Sequence, residues 1–200
     1  MDSAAPRVHD RSMGRGFLFV AALLAISSPA ALQAELPVGA KAPAFATQGA
    51  LAGKTYAFNL KAALRKGPVV LYFYPKAFTQ GCTLEAHAFA EAHDDFARAG
   101  ATVIGMSADD LPTLQRFSTE ACRDKFAVAV ATPAIVEAYD VAFKSDKLPP
   151  EARAKMAPGM TGRTSYVIAP SGRIVFVHSD LDYREHVQLT LAAVKALHRH

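Results

Sequence analysis

The run "PVVLYFY" from Pro68 to Tyr74 is the feature that most constrains the fold. It is continuously apolar and rich in β-branched and aromatic residues, without the alternation typical of a strand with one solvated face. Such a run predicts a strand buried on both faces, as in a parallel sheet covered by helices. Pro75 predicts the end of that strand, because proline cannot donate a ladder hydrogen bond. Similar runs, Ala101 to Ser107 and Phe126 to Val130, are expected to lie in the same sheet.

The segments that connect these strands have the periodicity of helices. From Cys82 to Ala99, apolar residues at helical spacing predict a core-facing stripe, and charged residues such as Glu85 are placed on the opposite, solvent-facing side. The stripe consists of Leu84, Ala88, Ala92 and Phe96. Further on, Asp110 followed by Pro112 predicts the start of another helix.

The remaining segments complete one domain. Glu35 to Ala57 contains several prolines and glycines and is predicted to be a loop, and Lys144 to Gly162 is a polar connection whose middle, Pro149 to Met156, is a candidate helix. The stretch "TSYVIAPSGRIVFVH" predicts a β-hairpin, which a terminal helix follows. This order predicts one α/β domain over Glu35 to His200, a three-layer sandwich whose mixed central sheet has helices on both faces.

The first 34 residues have the layout of a secretory signal peptide. An apolar run from Phe17 to Ile26 is too short to span a bilayer comfortably, and "ALQA" ends at the small residue Ala34. The basic residues before the run are Arg7, Arg11 and Arg15. Cleavage after Ala34 predicts export, and we expect a periplasmic protein in an oxidising compartment. An uncleaved membrane anchor is the alternative, and Met13 is an alternative start.

Composition argues against two classes of partner. The chain is 51% hydrophobic and 20% charged with a formal charge of +4, which describes an ordinary globular protein with a mild basic excess. No block of lysine and arginine suggests a nucleic-acid or membrane surface. We therefore expect no nucleic-acid partner and no stable membrane insertion after processing.

Cys82 stands at the predicted start of a helix that follows a buried strand. The carboxyl edge of such a sheet is where ligands bind, and a helix N-terminus favours an anion such as a thiolate. Thr79, three residues earlier, is close enough for its hydroxyl to bond the sulfur or a substrate oxygen. A lone cysteine on a helix is more often a small buried apolar residue. Position alone leaves both interpretations of Cys82 open.

Two motifs resemble the peroxiredoxins. The loop "YPKAFTQGCTLEA" contains Pro75, Thr79 and Cys82 as P-x-x-x-T-x-x-C, the active-site signature of that family, and its "GCTLE" is similar to the bacterioferritin comigratory protein (PrxQ) branch. Further on, "GRTSYVIAPSGRI" resembles a family segment with an arginine at the start of a strand, here Arg163. The resemblance covers the chain from "LPVGAKAPAF" to the final helix and implies a thioredoxin-like fold.

The resemblance implies specific roles. Cys82 would be the peroxidatic cysteine, whose thiolate attacks hydrogen peroxide or an organic hydroperoxide and becomes a sulfenic acid. Thr79 would orient the peroxide, Arg163 would hold the thiolate and stabilise charge developing on the O–O bond, and Pro75 would shield the sulfenate. The implied partner is a thioredoxin-like thiol reductant. The resemblance implies no cofactor and no metal, and a monomer.

Cys122 is the second cysteine of the chain. Many members of the branch have a resolving cysteine at the position that His87 occupies here, and some place it on the helix that begins at Pro112, near whose end Cys122 is predicted to lie. The resemblance therefore implies that Cys122 resolves the Cys82 sulfenate as an intramolecular disulfide. A one-cysteine enzyme with Cys122 in the core, and a static structural disulfide, are the alternatives.

Other classes of protein match the motif less well. A thioredoxin-type reductase needs C-x-x-C and a related copper chaperone C-x-x-x-C, but Glu85 and Ala86 occupy the second cysteine positions. A metal site built from Cys82, His87 and His93 is excluded, because these residues point to different sides of a helix. The functional alternative is an exported thioredoxin-fold thiol-disulfide or binding protein without peroxidase turnover.

Overall fold

The computed structural model describes Met1, residues 35–144, Glu151 and residues 159–197. The chain divides into two units, Met1–Leu32 and Gln33–His200, and the strands and helices below belong to the second. The predicted signal peptide and, apart from Glu151, the candidate helix at Pro149 to Met156 lie outside these residues. Within the described ranges, no helix is both long enough and apolar enough to cross a membrane.

In the described residues, seven strands form one mixed sheet in the order β2-β1-β5-β4-β3-β6-β7. The strands are β1 (Ala46–Leu51), β2 (Lys54–Asn59), β3 (Val69–Phe73), β4 (Thr102–Ser107), β5 (Ala127–Val130), β6 (Thr164–Ile168) and β7 (Ile174–Ser179). β3, β4 and β5 are parallel, and all other neighbouring pairs are antiparallel. The interior strand β3 is completely buried, as its apolar sequence predicts.

Helices cover both faces of this sheet. They are α1 (Leu60–Leu64), α2 (Gln80–Glu91), α3 (His93–Arg98), α4 (Leu111–Glu120), α5 (Pro133–Ala138) and α6 (His186–Ala196), with a 3₁₀ turn at Tyr183–Glu185 before α6. Alternate residues of β3 enter two different cores: Leu71 packs in the core beneath α1 and α5, and Tyr72 in the core beneath α2, α4 and α6. The predicted α/β sandwich is thereby confirmed.

The loop predicted for Glu35 to Ala57 is wrong, because it contains β1 and most of β2. These strands form a hairpin whose turn places Ala52 and Gly53 at φ of 50° and 72°. Gly49 lies inside β1, where a Cβ atom would come within 2.1 Å of the Val128 carbonyl oxygen of β5. The glycine that made this segment look like a loop is therefore required for close approach of two strands.

The single helix predicted from Cys82 to Ala99 also needs correction. It begins at Gln80, so Cys82 is the third helical residue, and it is interrupted at Ala92 between α2 and α3. The predicted stripe is only partly right, since Phe96 is buried but Leu84 is 40% exposed. The face of α2 that meets the core consists of Cys82, Glu85, Ala86, Phe89 and Ala90.

Candidate active site

The loop from β3 to α2 carries Cys82 to the carboxyl edge of the sheet. It is fixed at that edge by Asp109, whose Oδ2 accepts bonds from the Ala77 N–H at 2.7 Å and the Ser107 hydroxyl at 2.9 Å. The carbonyl of Tyr74, directly before the half-buried Pro75, accepts a bond from the buried Thr161 hydroxyl at 2.8 Å. Strand ends on both sides thus hold the loop that contains Pro75 and precedes Cys82.

The first turn of α2 has no side-chain cap. Thr79 is the N-cap residue, but its hydroxyl donates to the Lys76 carbonyl oxygen at 2.9 Å, on the loop side of the helix start. The first backbone N–H groups of a helix have no partner within the helix, and here no capping oxygen occupies them. The free N–H donors and the helix dipole would therefore both stabilise an anion at the position of Cys82.

Arg163 lies directly before β6 and contacts Cys82. Antiparallel pairing sets Thr164 opposite Phe73, which brings the residue before β6 beside the end of β3. Arg163 is 6% exposed, and its Nη2 donates to the Cys82 Sγ at 3.5 Å. Its Nε donates to the Leu181 carbonyl oxygen at 2.9 Å. The Nη2 contact places a fixed positive charge beside the sulfur of Cys82, a residue that is 2% exposed.

Glu85 completes the set of groups around Arg163. It lies one turn after Cys82 and is fully buried, whereas the sequence pattern places it on the solvent-facing side of the helix. Its Oε2 accepts a bond from the Arg163 Nη1. Burial raises the pKa of Glu85 to about 8, although Arg163 opposes this shift. The spacing of Cys82 and Glu85 in the sequence could have indicated this position, since residues three apart on a helix share a face.

The polypeptide after β7 supplies contacts that the sequence motifs did not indicate. A Cβ atom at Gly81 would lie 3.3 Å from the Arg163 Nη2 and 4.0 Å from the Tyr183 ring. His186 is buried at the start of α6, with its Nδ1 3.8 Å from the Glu85 Oε1. The segment from Leu181 to His186 therefore lies against Arg163 and α2 at the site.

Cys122 lies away from this arrangement. It follows α4, two residues beyond the last helical residue, and its N–H donates to the Phe117 carbonyl oxygen at 3.0 Å. Both cysteines are reduced and buried, and they do not lie near each other. Burial raises the pKa of the Cys122 thiol well above its ordinary value. The static disulfide considered above is absent from this structure, and the resolving role receives no direct geometric support.

Comparison with known proteins agrees with this geometry. The AhpC/TSA family matches residues 38–177 of the chain. The chain is 29% identical over 131 residues to peroxiredoxin Q, chloroplastic, of Oryza sativa subsp. japonica, covering 65% of this chain but only 55% of the rice protein. It is also 29% identical over 161 residues to peroxiredoxin Bcp of Bacillus subtilis, covering 80% and 96% of the two chains.

A solved structure extends the comparison to the fold. The Xanthomonas campestris bacterioferritin comigratory protein, studied for its alkyl peroxide reduction activity, superposes with a TM-score of 0.62 at 28% identity. The superposition covers 75% of this chain and 90% of that one. A family match over residues 38–177, the shared fold and the Cys82–Arg163 contact lead to one conclusion: this chain belongs to the AhpC/TSA family, the peroxiredoxins.

Proposed function

We propose that the protein is a thiol peroxidase that reduces hydrogen peroxide and organic hydroperoxides through Cys82. The observation that carries this proposal is the Arg163 Nη2 at 3.5 Å from a sulfur in the uncapped first turn of α2. In the first step, the Cys82 thiolate attacks the terminal peroxide oxygen and the O–O bond breaks. The products are a sulfenic acid on Cys82 and water or an alcohol, which takes up one proton.

The other residues of the site would act on the peroxide or its products. Arg163, already fixed by Glu85 and the Leu181 carbonyl, would stabilise the negative charge that develops across the breaking O–O bond. The backbone N–H of Cys82 would donate to the same oxygen atoms. The Thr79 hydroxyl, which is exposed beside the helix start, would orient the peroxide, and Pro75 would limit the access of water to the sulfenate.

The regeneration step has two candidate routes. In the first, Cys122 attacks the Cys82 sulfenate to give an intramolecular disulfide and water, and a thioredoxin-like donor then reduces the disulfide. Both cysteines belong to the same apolar core on one face of the sheet, but the first turn of α2 would have to unwind. The second route is a one-cysteine enzyme, which the complete burial of Cys122 and its distance from Cys82 favour.

The Cys122→Ser variant separates these routes. If Cys122 resolves, the first equivalent of hydrogen peroxide oxidises Cys82 within about twofold of the wild-type rate, because distant sites act independently. Turnover with a thioredoxin-type reductant then falls at least about tenfold, and Cys82 accumulates as sulfinic acid. Intact and peptide mass spectra identify the products, with oxidised wild type as the control for a Cys82–Cys122 linkage. Normal turnover by the variant would establish the one-cysteine route.

The Gly81→Ala variant tests whether the position of Arg163 limits the reaction. An alanine Cβ 3.3 Å from Nη2 must displace the guanidinium by a few tenths of an ångström, and Glu85 and Leu181 hold it in place. We expect the rate constant of Cys82 with hydrogen peroxide to fall about 3- to 10-fold. Alanine favours the helix, so the free energy of unfolding should be unchanged or higher. An unchanged rate constant would contradict the role given to this contact.

Location and partners complete the proposal. We propose export to the periplasm after cleavage behind Ala34, and function as a monomer with a thioredoxin-like reductant. The N-terminal sequence of the mature protein tests the first part, and sedimentation tests the second. The alternative, a thiol-disulfide or binding protein without turnover, predicts that the reduced protein loses thiols to hydrogen peroxide no faster than free cysteine does. Thiol counting after mixing decides between the two functions.

A further inference from the structure

His186 is a buried titratable residue to which the proposed reaction assigns no role. It is the first residue of α6 and is fully buried. Its Nε2 lies 2.9 Å from the Asp180 carbonyl oxygen, and its Nδ1 lies 2.8 Å from the Ser165 hydroxyl. Its ring packs edge-on against His178 of β7, with 4.6 Å between the ring centroids. Both ring nitrogens thus have partners, as buried polar groups require, and the two bonds hold the ring in one orientation.

These contacts define the tautomer. A carbonyl oxygen only accepts hydrogen bonds, so the proton lies on Nε2 and is donated to Asp180. In a neutral ring Nδ1 is then an acceptor, and the Ser165 hydroxyl donates to it. Burial lowers the pKa of His186 to about 4, so the neutral ring persists across the physiological range. The groups that face the ring are Glu85, Arg163, Ser165, His178 and Asp180.

The same contacts connect His186 to Arg163 by two short routes. Ser165 lies two residues after Arg163 and follows it into β6, so the bond to Nδ1 fixes the strand from which the arginine extends. Asp180 directly precedes Leu181, whose carbonyl accepts the Arg163 Nε. The ring therefore ties together the strand that carries the guanidinium and the loop that binds it.

A third relation involves Glu85. Its Oε2 binds Arg163, while its buried Oε1 has no hydrogen-bond partner among the described residues and lies 3.8 Å from the His186 Nδ1. A protonated His186 would present a second donor to this oxygen and would compete with Arg163 for the Glu85 carboxyl group. It would also lose its ability to accept from Ser165. The neutral ring leaves the Arg163–Glu85 pair undisturbed.

We propose that His186 is a positioning residue for peroxide reduction, whose neutral ring joins Ser165 to the Asp180–Leu181 backbone and thereby holds the Arg163 guanidinium against the Cys82 sulfur. This rests on the proposed peroxidase function. His186 acts through Arg163 and does not contact the reacting atoms. The guanidinium needs such support because peroxide reduction depends on its alignment with the O–O bond, not only on its charge.

The experiment measures two reactions of Cys82 in each variant. Stopped-flow mixing with hydrogen peroxide reports the reaction that needs an aligned Arg163, and alkylation by iodoacetamide across pH reports the thiolate fraction and its nucleophilicity. We expect His186→Leu to lower the peroxide rate constant about 10- to 100-fold, corrected for thiolate fraction. His186→Gln retains a donor for Asp180 and should recover to within about threefold of wild type, and Ser165→Ala should fall about 3- to 10-fold.

Val194→Ala is the matched control, because Val194 is fully buried on the same helix and packs in the core beneath α2, α4 and α6. It should destabilise α6 while leaving the corrected peroxide rate constant within about twofold of wild type. The positioning role alone would be overturned if the corrected peroxide rate constant fell equally in His186→Leu and Val194→Ala. It would also be overturned if His186→Leu showed no fall, or if Ser165→Ala showed none. A wild-type protein that reacts with hydrogen peroxide no faster than free cysteine would overturn the peroxidase function as well.

Discussion

The Cys82→Ser variant is expected to lose peroxide reduction almost completely, by at least about 1000-fold. A serine hydroxyl remains protonated under conditions in which an activated thiol ionises. Without a sulfur atom, the side chain also cannot take up the peroxide oxygen and form a sulfenic acid. The Arg163 Nη2 would then face a neutral hydroxyl instead of a sulfur at 3.5 Å. Hydrogen peroxide consumption with excess dithiol measures the loss.

The fold of this variant should persist, since serine is close to cysteine in size. A thermal unfolding midpoint near that of wild type is the control. The Cys122→Ser variant serves as the matched thiol deletion, because it removes the other buried cysteine and should leave the first oxidation intact. Residual activity of Cys82→Ser above a few per cent of wild type would assign peroxide reduction to Cys122 and would contradict the proposed site.

The Arg163→Met variant should be both inactive and unstable. Methionine approximates the length of the side chain but removes the donors to Cys82, Glu85 and Leu181. We expect the peroxide rate constant to fall about 100- to 1000-fold, because the developing charge on the O–O bond loses its fixed donor. Removing Arg163 also leaves the buried Glu85 without its partner, which costs up to about 3 kcal/mol of unfolding free energy at a pH where the carboxylate is ionised.

That loss of stability should depend on pH in a defined direction. Burial already raises the pKa of Glu85 to about 8, and without Arg163 it rises further. A carboxyl group whose pKa is raised in the folded state stabilises the fold fully below its unfolded pKa of about 4.3, and the contribution is lost as pH rises through the folded value. Wild type shares this loss up to a pH of about 8, so the extra destabilisation of Arg163→Met should be small at pH 7 and larger at pH 9, as measured by urea unfolding.

A double variant isolates the buried charge. Arg163→Met combined with Glu85→Gln removes the carboxylate, so stability should recover at pH 9 while activity stays low. Equal destabilisation of Arg163→Met at both pH values would show that Glu85 is not the source of the loss. Recovery of activity in the double variant would remove Arg163 from the reaction.

The sequence predicted much of the site because its signals are local or motif-based. The buried run of β3 and the proline after it indicate where a loop leaves the sheet, and the motif around Cys82 names the family. The sheet itself was predicted incompletely. β1 was missed because Gly49 allows close approach of β5, a requirement that is visible only when both strands are present.

Glu85 and His186 were missed for a related reason. A charged residue on a helix is normally solvated, so the pattern placed Glu85 outside, yet it is buried because Arg163 reaches it from 78 residues away. His186 carries no motif of its own. Its proposed role depends on the carbonyl of Asp180 and the hydroxyl of Ser165, which only the folded chain brings to the two ring nitrogens.

The sequence by itself determined the βαβ core, the start of a helix near Cys82 and the family, since these depend on periodicity and on spacing within one segment. Only the tertiary structure decided which charges are buried together, because a buried ion needs a partner that arrives from elsewhere in the chain. It also decided that Cys122 lies away from Cys82, since the sheet and helices set the separation of two residues 40 apart in the sequence. The chemistry of Cys82 is thus encoded locally, and its environment is produced by the fold.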